Sequence, residues 1–319
     1  MTILDFIRRY RTIIYRDGYF SRLYKNNKFK NNIHIGEIIR NTHSIEKGLS
    51  LDNVRLGFGV KKIREAYGII LAYKDNGGNI NSEPIKMFLD ALSSYLRFHK
   101  EIDYTDDVIS EVTTIYESLC NLVSLSSTIH GGTLLVDKPK YTTEEKEIFT
   151  KFINDRHSVR EFDKTPVDIS KLHQSIELAM RCPSACNRQC YRVHILDHKD
   201  FDIITGWLEG IGGFVDELDK LLIITGKVSM YRKEEEYQHV VTSSIFAGYL
   251  TLTLQMNKIG ACVIQRNLHP NNRWELLSKQ LEIPGDELPV CCIGIGSLKS
   301  QYKVPVSYRL PYDSVVTNH

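Results

Sequence analysis

The feature that most constrains this chain is a change of hydrophobic period close to Thr142. Before that point apolar residues recur every three or four positions, as in Ile85, Phe88, Leu92, Tyr95 and Leu96 behind the helix-start signature Ser82-Glu83-Pro84. Val108, Val112, Ile115, Leu119 and Leu122 repeat the pattern. Beyond it, short runs rich in Val, Ile and Cys at 191–196, 221–225, 261–265 and 290–295 read as strands. Helical stretches separate them, one opening at Thr142-Thr143-Glu144-Glu145 and ending near Arg156, another running from Asp168 to Arg181 before Pro183. The sequence therefore predicts an α+β protein, with an all-α N-terminal domain (1–141) ahead of a second domain (142–319) in which helices flank a mixed sheet. Gly131-Gly132 and Lys138-Pro139-Lys140 mark the break.

Composition narrows the function classes. A length of 319 residues, 42% of them hydrophobic, is enough for two buried cores, and a formal charge of +2 gives no global pull towards nucleic acid. No run approaches the roughly 18 uninterrupted apolar residues of a membrane span, and residues 1–20 alternate Ile and Leu with Arg instead of building a signal-peptide core, so a cytoplasmic protein is expected. Residues 1–30 carry eight basic side chains against Asp5 and Asp17. A solvated helix lying over its own core is favoured there over contact with an anionic membrane, and nucleic-acid binding is disfavoured further. Seven cysteines, with Cys291 and Cys292 adjacent, suggest reduced thiols. Cys182, Cys186 and Cys190 fall four apart, but Pro183 interrupts the helix that would stack them, so no metal site is expected. Residues 241–256 contain no charge at all, which predicts a buried helix, between subunits if the protein assembles.

Three clusters carry functional residue types. Arg156-His157-Ser158-Val159-Arg160 joins a helix end to an extended segment, where positions 156, 158 and 160 share one side. Two guanidinium groups and a hydroxyl facing one way suit a phosphate or the mixed edge of a heterocycle. Pro183-Ser184-Ala185-Cys186-Asn187-Arg188-Gln189 is a loop offering a hydroxyl and two carboxamides, groups that donate and accept at once. Ser307-Tyr308-Arg309-Leu310-Pro311 places a lone cation among apolar neighbours, where it calls for an anionic partner.

In this order, and with the strand Gly260-Ala261-Cys262-Val263-Ile264 after a long helix, these clusters resemble the nitroreductase family of FMN-dependent oxidoreductases. The resemblance covers the chain from about Thr142 onward. It implies that Arg156 and Arg309 bind the FMN phosphate with help from Ser158, within a cofactor-binding stretch that includes His157. It implies Arg160 at the N1 and C2-carbonyl edge of the flavin ring, and Asn187, in the loop of Pro183, Ser184 and Gln189, at the pyrimidine side. The backbone around Ile264 and Gln265 would approach N5. It also implies NADH or NADPH as donor, a small electrophilic acceptor, no obligatory catalytic acid, and a homodimer with two flavin sites at the interface.

Three positions depart from the family pattern: Ser307 where a basic residue is common, Cys190-Tyr191 after Gln189 where proline and an aromatic are common, and Gln265-Arg266 where an acidic residue and glycine are common. Those at Ser307 and Gln265 motivate one alternative, a non-catalytic interaction protein, and a further reading keeps the flavin but makes the enzyme a dehydrogenase or dehalogenase. In the helical half, 42–49 and 55–59 resemble an extension on some nitroreductase-like proteins associated with bacterial surface-polysaccharide synthesis. Read from the residues alone, Gly48 is a helix C-cap and Gly57 and Gly59 form a turn.

Overall fold

The computed structural model describes residues 18–124, 130–204, 206–265 and 272–319. Most of the basic segment 1–30, and Arg266 of the third departure, lie outside them. Residues 18–25 are helical and lead into α1 (Lys30–Leu49), α2 (Val60–Asp75), α3 (Glu83–Glu101) and α4 (Asp107–Cys120). Local chemistry sets these ends. Pro84 stands in the first turn of α3, where its missing N–H removes nothing, and the Asp106 carboxylate accepts from the Ile109 amide at 2.8 Å to cap α4. Ile38 and Ile45, Ile63 and Ile70, Phe88 and Leu92, and Leu119 turn their stripes into one shared core. Gly48 lies inside α1 instead of capping it, because the Phe58 ring packs where its Cβ would be. Gly57 and Gly59 take positive φ values of 63° and 73°, the left-handed turn expected of them.

The second half contains α5 (Thr143–Asn154), β1 (Tyr191–Asp197) after α6 (Ile169–Ala179), β2 (Lys220–Lys227), α7 (Gln238–Met256), β3 (Ile259–Ile264), α8 (Asn272–Gln280) and β4 (Glu287–Ser297). Thr142 opens α5 through a capping box, its hydroxyl accepting from the Glu145 amide at 3.1 Å while the Glu145 carboxylate accepts from the Thr142 amide at 2.7 Å. All four expected strand runs form. They pair antiparallel in the order β1-β2-β4-β3, and the parallel element of the sheet is a single bridge from Ser158 to Ala261.

Alternation along the strands divides the core in two. Leu222, Ile224 and Ile293 face α6 and α7, where they meet Leu172, Phe246 and Leu250. Leu221, Ile223 and Cys292 face the other way, against Trp207, Trp274 and also Phe20, Leu23 and Phe29 from the start of the described chain. The uncharged helix α7 is not buried all round. Phe246, Leu250 and Leu254 are covered, while Val241, Ile245 and Tyr249 remain exposed on its opposite side.

The two halves join where α1 crosses the short turn Val228–Met230. The approach is close enough that a Cβ on Gly36 would collide with the Met230 backbone. Beside it, Arg232 Nε donates to Glu37 Oε1 at 2.9 Å and Arg40 Nη2 to Glu37 Oε2 at 2.7 Å. In an ordinary helix a Gly→Ala change stabilises by about 0.5–1 kcal/mol. For Gly36→Ala the sign is expected to reverse, with a loss of about 1–3 kcal/mol from overpacking that appears as a lower urea midpoint. A raised midpoint would contradict this packing.

Candidate functional site

The segment after α5 enters the sheet's edge. The Val159 amide donates to the Ala261 carbonyl at 3.0 Å, and Val159 and Phe162 are buried beneath it. This anchoring brings the first cluster alongside β3, so that Arg156, His157 and Val159 share a small cavity of about 20 Å³ with Thr251, Gln255, Val263 and Tyr302. Ser158 is half-buried at the bridge to Ala261. Arg160 stays outside that cavity, exposed, with its guanidinium 5.8 Å from the Phe214 ring centroid. Ile264 is buried at the end of β3 and Gln265 is exposed just beyond it. The structure thus gathers the 156–160 and 261–265 segments but does not line Arg156 and Arg160 along one wall of a closed pocket.

The carboxamide loop lies elsewhere. Between Pro183 and Gln189 the chain makes one tight turn in which Cys186, Asn187 and Gln189 have φ values of 53°, 56° and 44°. Three non-glycine residues in the left-handed region cost free energy that their surroundings must offset. The Ser184 hydroxyl accepts from the Gln189 amide at 3.2 Å, and Gln189 Nε2 donates to Asn187 Oδ1 at 3.2 Å. The Ala185 amide donates to Thr242 Oγ1 at 3.4 Å, which ties the loop to the first turns of α7. Thr251 and Gln255, which line the Arg156 cavity, are 9 and 13 positions further along the same helix. At 1.5 Å per residue the two clusters are about 13–20 Å apart along its axis. Arg309, in the exposed C-terminal stretch, donates to the Ser307 carbonyl at 2.7 Å and meets neither cluster within one chain.

What holds the loop is a residue to which the sequence reading assigned nothing. Arg188 is 1% exposed. Its Nη1 donates to Glu235 Oε2 at 2.8 Å and to the Met230 carbonyl at 3.2 Å, its Nε donates to the Ala185 carbonyl at 3.3 Å, and its guanidinium lies 4.1 Å from the Tyr231 ring centroid. No spacing or charge pattern links Arg188 to Glu235, 47 residues away, so only the fold reveals the pair. Of the three cysteines four apart, Cys182 and Cys190 are buried and Cys186 occupies the turn, so no helix stacks them.

A single chain therefore offers two half-sites. The donor set of the first, two guanidiniums with a hydroxyl, and that of the second, two carboxamides, suit the phosphate and the ring edge of a flavin mononucleotide. The cavity at the arginine segment, about 20 Å³, is far smaller than such a molecule. Between the two clusters α7 leaves Val241, Ile245 and Tyr249 uncovered, and Ile148 and Phe149 on α5 and Tyr308 and Leu310 beside Arg309 are exposed as well.

The class defined so far is an α+β protein with an antiparallel sheet, an uncharged helix, an anion-suited arginine cluster near one end of that helix and a carboxamide loop near the other. The sequence model of the nitroreductase family matches residues 153–204, the stretch holding both the Arg156–Arg160 segment and the carboxamide loop, so the resemblance to that family is found. No curated protein matches the chain. Among solved structures, the chain is similar to a nitroreductase family protein from Streptococcus pneumoniae (19% identity, 54% of this chain and 100% of that one, TM-score 0.45). It is also similar to an FMN-dependent nitroreductase from Clostridium difficile (22%, 53% and 98%, 0.44) and to a protein from Desulfovibrio desulfuricans solved in complex with FMN (17%, 53% and 95%, 0.46). Among the described residues no helix is long and apolar enough to cross a membrane.

A half-buried carboxyl and a buried imidazole give this region a pH dependence. The hydrogen bond from Arg188, working against desolvation, holds the Glu235 carboxyl below its usual range. Burial pushes His239, at the start of α7, down from 6.5 to about 4. Both folded-state values are depressed, so both contributions are complete above the unfolded values and are lost as pH falls through the folded ones. Stability is expected to fall between pH 6.5 and 4, and His239→Leu should make that decline shallower. Arg188→Met should cost about 3 kcal/mol at neutral pH by leaving Glu235 unpaired against a desolvated site. Urea titrations at neutral pH and down to pH 4 check both, and a decline unchanged in the His239 variant would contradict the assignment.

Proposed function

We propose that the protein is an FMN-dependent oxidoreductase that passes hydride from NADH or NADPH to a small electrophilic acceptor, acting as a homodimer in the cytoplasm. The observation that carries this reading is the separation of two complementary half-sites along one uncharged helix with an uncovered apolar face between them. A second copy related by a two-fold axis covers that face and sets the carboxamide loop of one chain against the arginine segment of the other.

In such a site Arg156 and Ser158 hold the phosphate, and Arg309 reaches it once the C-terminal stretch lies along the partner. Arg160 has no acidic partner among the described residues and stands free to face the N1 and C2-carbonyl edge, where a fixed cation favours the electron-rich form. Asn187 reads the pyrimidine edge, oriented by Gln189, and the backbone at Ile264 and Gln265 lines the N5 side. When bound, the flavin supplies the two-electron chemistry, and the chain supplies position and charge.

Purified protein is expected to be yellow and to bleach anaerobically with NADH or NADPH. Arg309→Ala removes a charge-assisted bond, for an expected loss of about ten- to hundredfold in FMN affinity. Subunit mixing tests the architecture directly. Arg156→Ala and Asn187→Ala dimers should each bind flavin poorly, whereas an exchanged equal mixture should regain about a quarter of the wild-type sites, because half the dimers are mixed and each carries one intact site. No recovery would overturn the shared site, and a colourless chain that takes up no FMN would overturn the cofactor.

A further inference from the structure

At the junction between the helical half and the sheet lies a second cleft, of about 520 Å³, away from the arginine half-site and bordered by Gln189 of the carboxamide loop. Its volume lies within the range of small-molecule sites. Ile35 and Ile39 on α1 and Met87 on α3 form one wall, and the stacked pair Tyr191 and Phe246, with ring centroids 4.2 Å apart, forms the other. The walls are apolar, but the charge is one-signed where the cleft meets the start of β1 and the end of β2. Arg192 and Lys227 both line it, both are half-buried, and neither makes an ion pair among the described residues. Arg192 spends one nitrogen on the carbonyls of Gln189 and Tyr191, at 3.0 and 2.6 Å, which fixes its guanidinium at the cleft without neutralising it.

The carboxylates nearby are already engaged. Glu83, at the mouth, receives Lys86 at 2.9 Å and His130 at 2.8 Å. Glu287, the cross-strand neighbour of Lys227, accepts from Thr225 at 2.6 Å, pairs with His194 at 2.9 Å and also feels the Arg192 charge. Arg192 and Lys227, both half-buried, thus share the one carboxylate of Glu287, which leaves the end of an apolar slot with an excess of positive charge. Such an arrangement selects a molecule with an apolar body and one anionic head.

We propose that this cleft binds a small amphipathic organic anion, an aryl or alkyl carboxylate, sulfonate or phosphate, with its head between Arg192 and Lys227 and its body between α1, α3 and the Tyr191–Phe246 pair. The site is made only where the helical half meets the sheet, so it gives residues 30–101 a recognition role beyond the flavin reading. Gln189 also lines the cleft while bonding Asn187, so an occupant touches the loop that reads the cofactor edge.

The test uses the full-length protein and 8-anilinonaphthalene-1-sulfonate as probe, followed by its fluorescence, with N-phenyl-1-naphthylamine as the same ring system without the anion. The expected result is saturable binding of one sulfonate per chain that weakens as salt rises, with the uncharged analogue bound at least about tenfold more weakly. Lys227→Ala should weaken the sulfonate about tenfold and leave the uncharged analogue unchanged. Met87→Trp, which fills the slot from its partly exposed rim, should abolish both. Equal affinity for the two probes, no effect of Lys227→Ala with circular dichroism unchanged, or competitive displacement by FMN at its own binding concentration would each overturn the site. Binding of the probe to protein that takes up no FMN would leave this proposal standing while the flavin reading fell.

Discussion

A guanidinium without access to water sits where the halves of this molecule meet, and much of the remaining geometry follows from satisfying it. Arg188 needs a carboxylate, and Glu235 comes from the segment after β2. It needs further acceptors, and the carbonyls of Ala185 and Met230 turn towards it. Those demands fold the 184–189 loop into left-handed backbone that no local preference would choose, and they draw the Val228–Tyr231 turn up against α1. A buried ion pair is weak evidence for extra stability, because desolvation offsets much of the attraction. Its effect here is on specificity, since other arrangements of the loop leave a buried charge unpaired.

How much of this was legible beforehand depends on the range of the interactions. The four strands and the helices opening at Thr142 and Asp168 were readable because alternation and capping are local properties of the chain. The burial of α7 was half readable. Lack of charge says that a helix has no face committed to water, but it does not say that each face has found cover within the same chain, and Val241, Ile245 and Tyr249 have not. Gly48 was misplaced as a cap because the ring that explains it, Phe58, comes from beyond the following turn.

The clusters behave similarly. The 156–160 and 261–265 segments meet through backbone pairing at the sheet edge, an outcome consistent with their extended character. The carboxamide loop and Arg309 lie apart from them, and no pattern in one chain shows that a helix length intervenes. Arg188 was invisible for the opposite reason. It is one arginine among many until the fold carries it to Glu235. The cleft beside α1 combines both cases, since the stripe of Ile35 and Ile39 looks like ordinary core until Tyr191 and Phe246 stop short of filling it.

The packing of residues 18–29 sets an order of events for the newborn chain. Tyr19 donates its hydroxyl to the carbonyl of Gly285, 266 residues later, and Phe20, Leu23 and Phe29 rest on a core completed by the last strand. That strand, β4, is also an interior member of the sheet, so neither β2 nor β3 has its inner neighbour until it emerges. At about 5–20 residues per second, translation leaves the opening segment waiting roughly 15–50 seconds for its resting place. During that interval the apolar residues at 18–29 stay exposed to whatever binds hydrophobic chains at the ribosome, and the sheet half can assemble only after synthesis is nearly done.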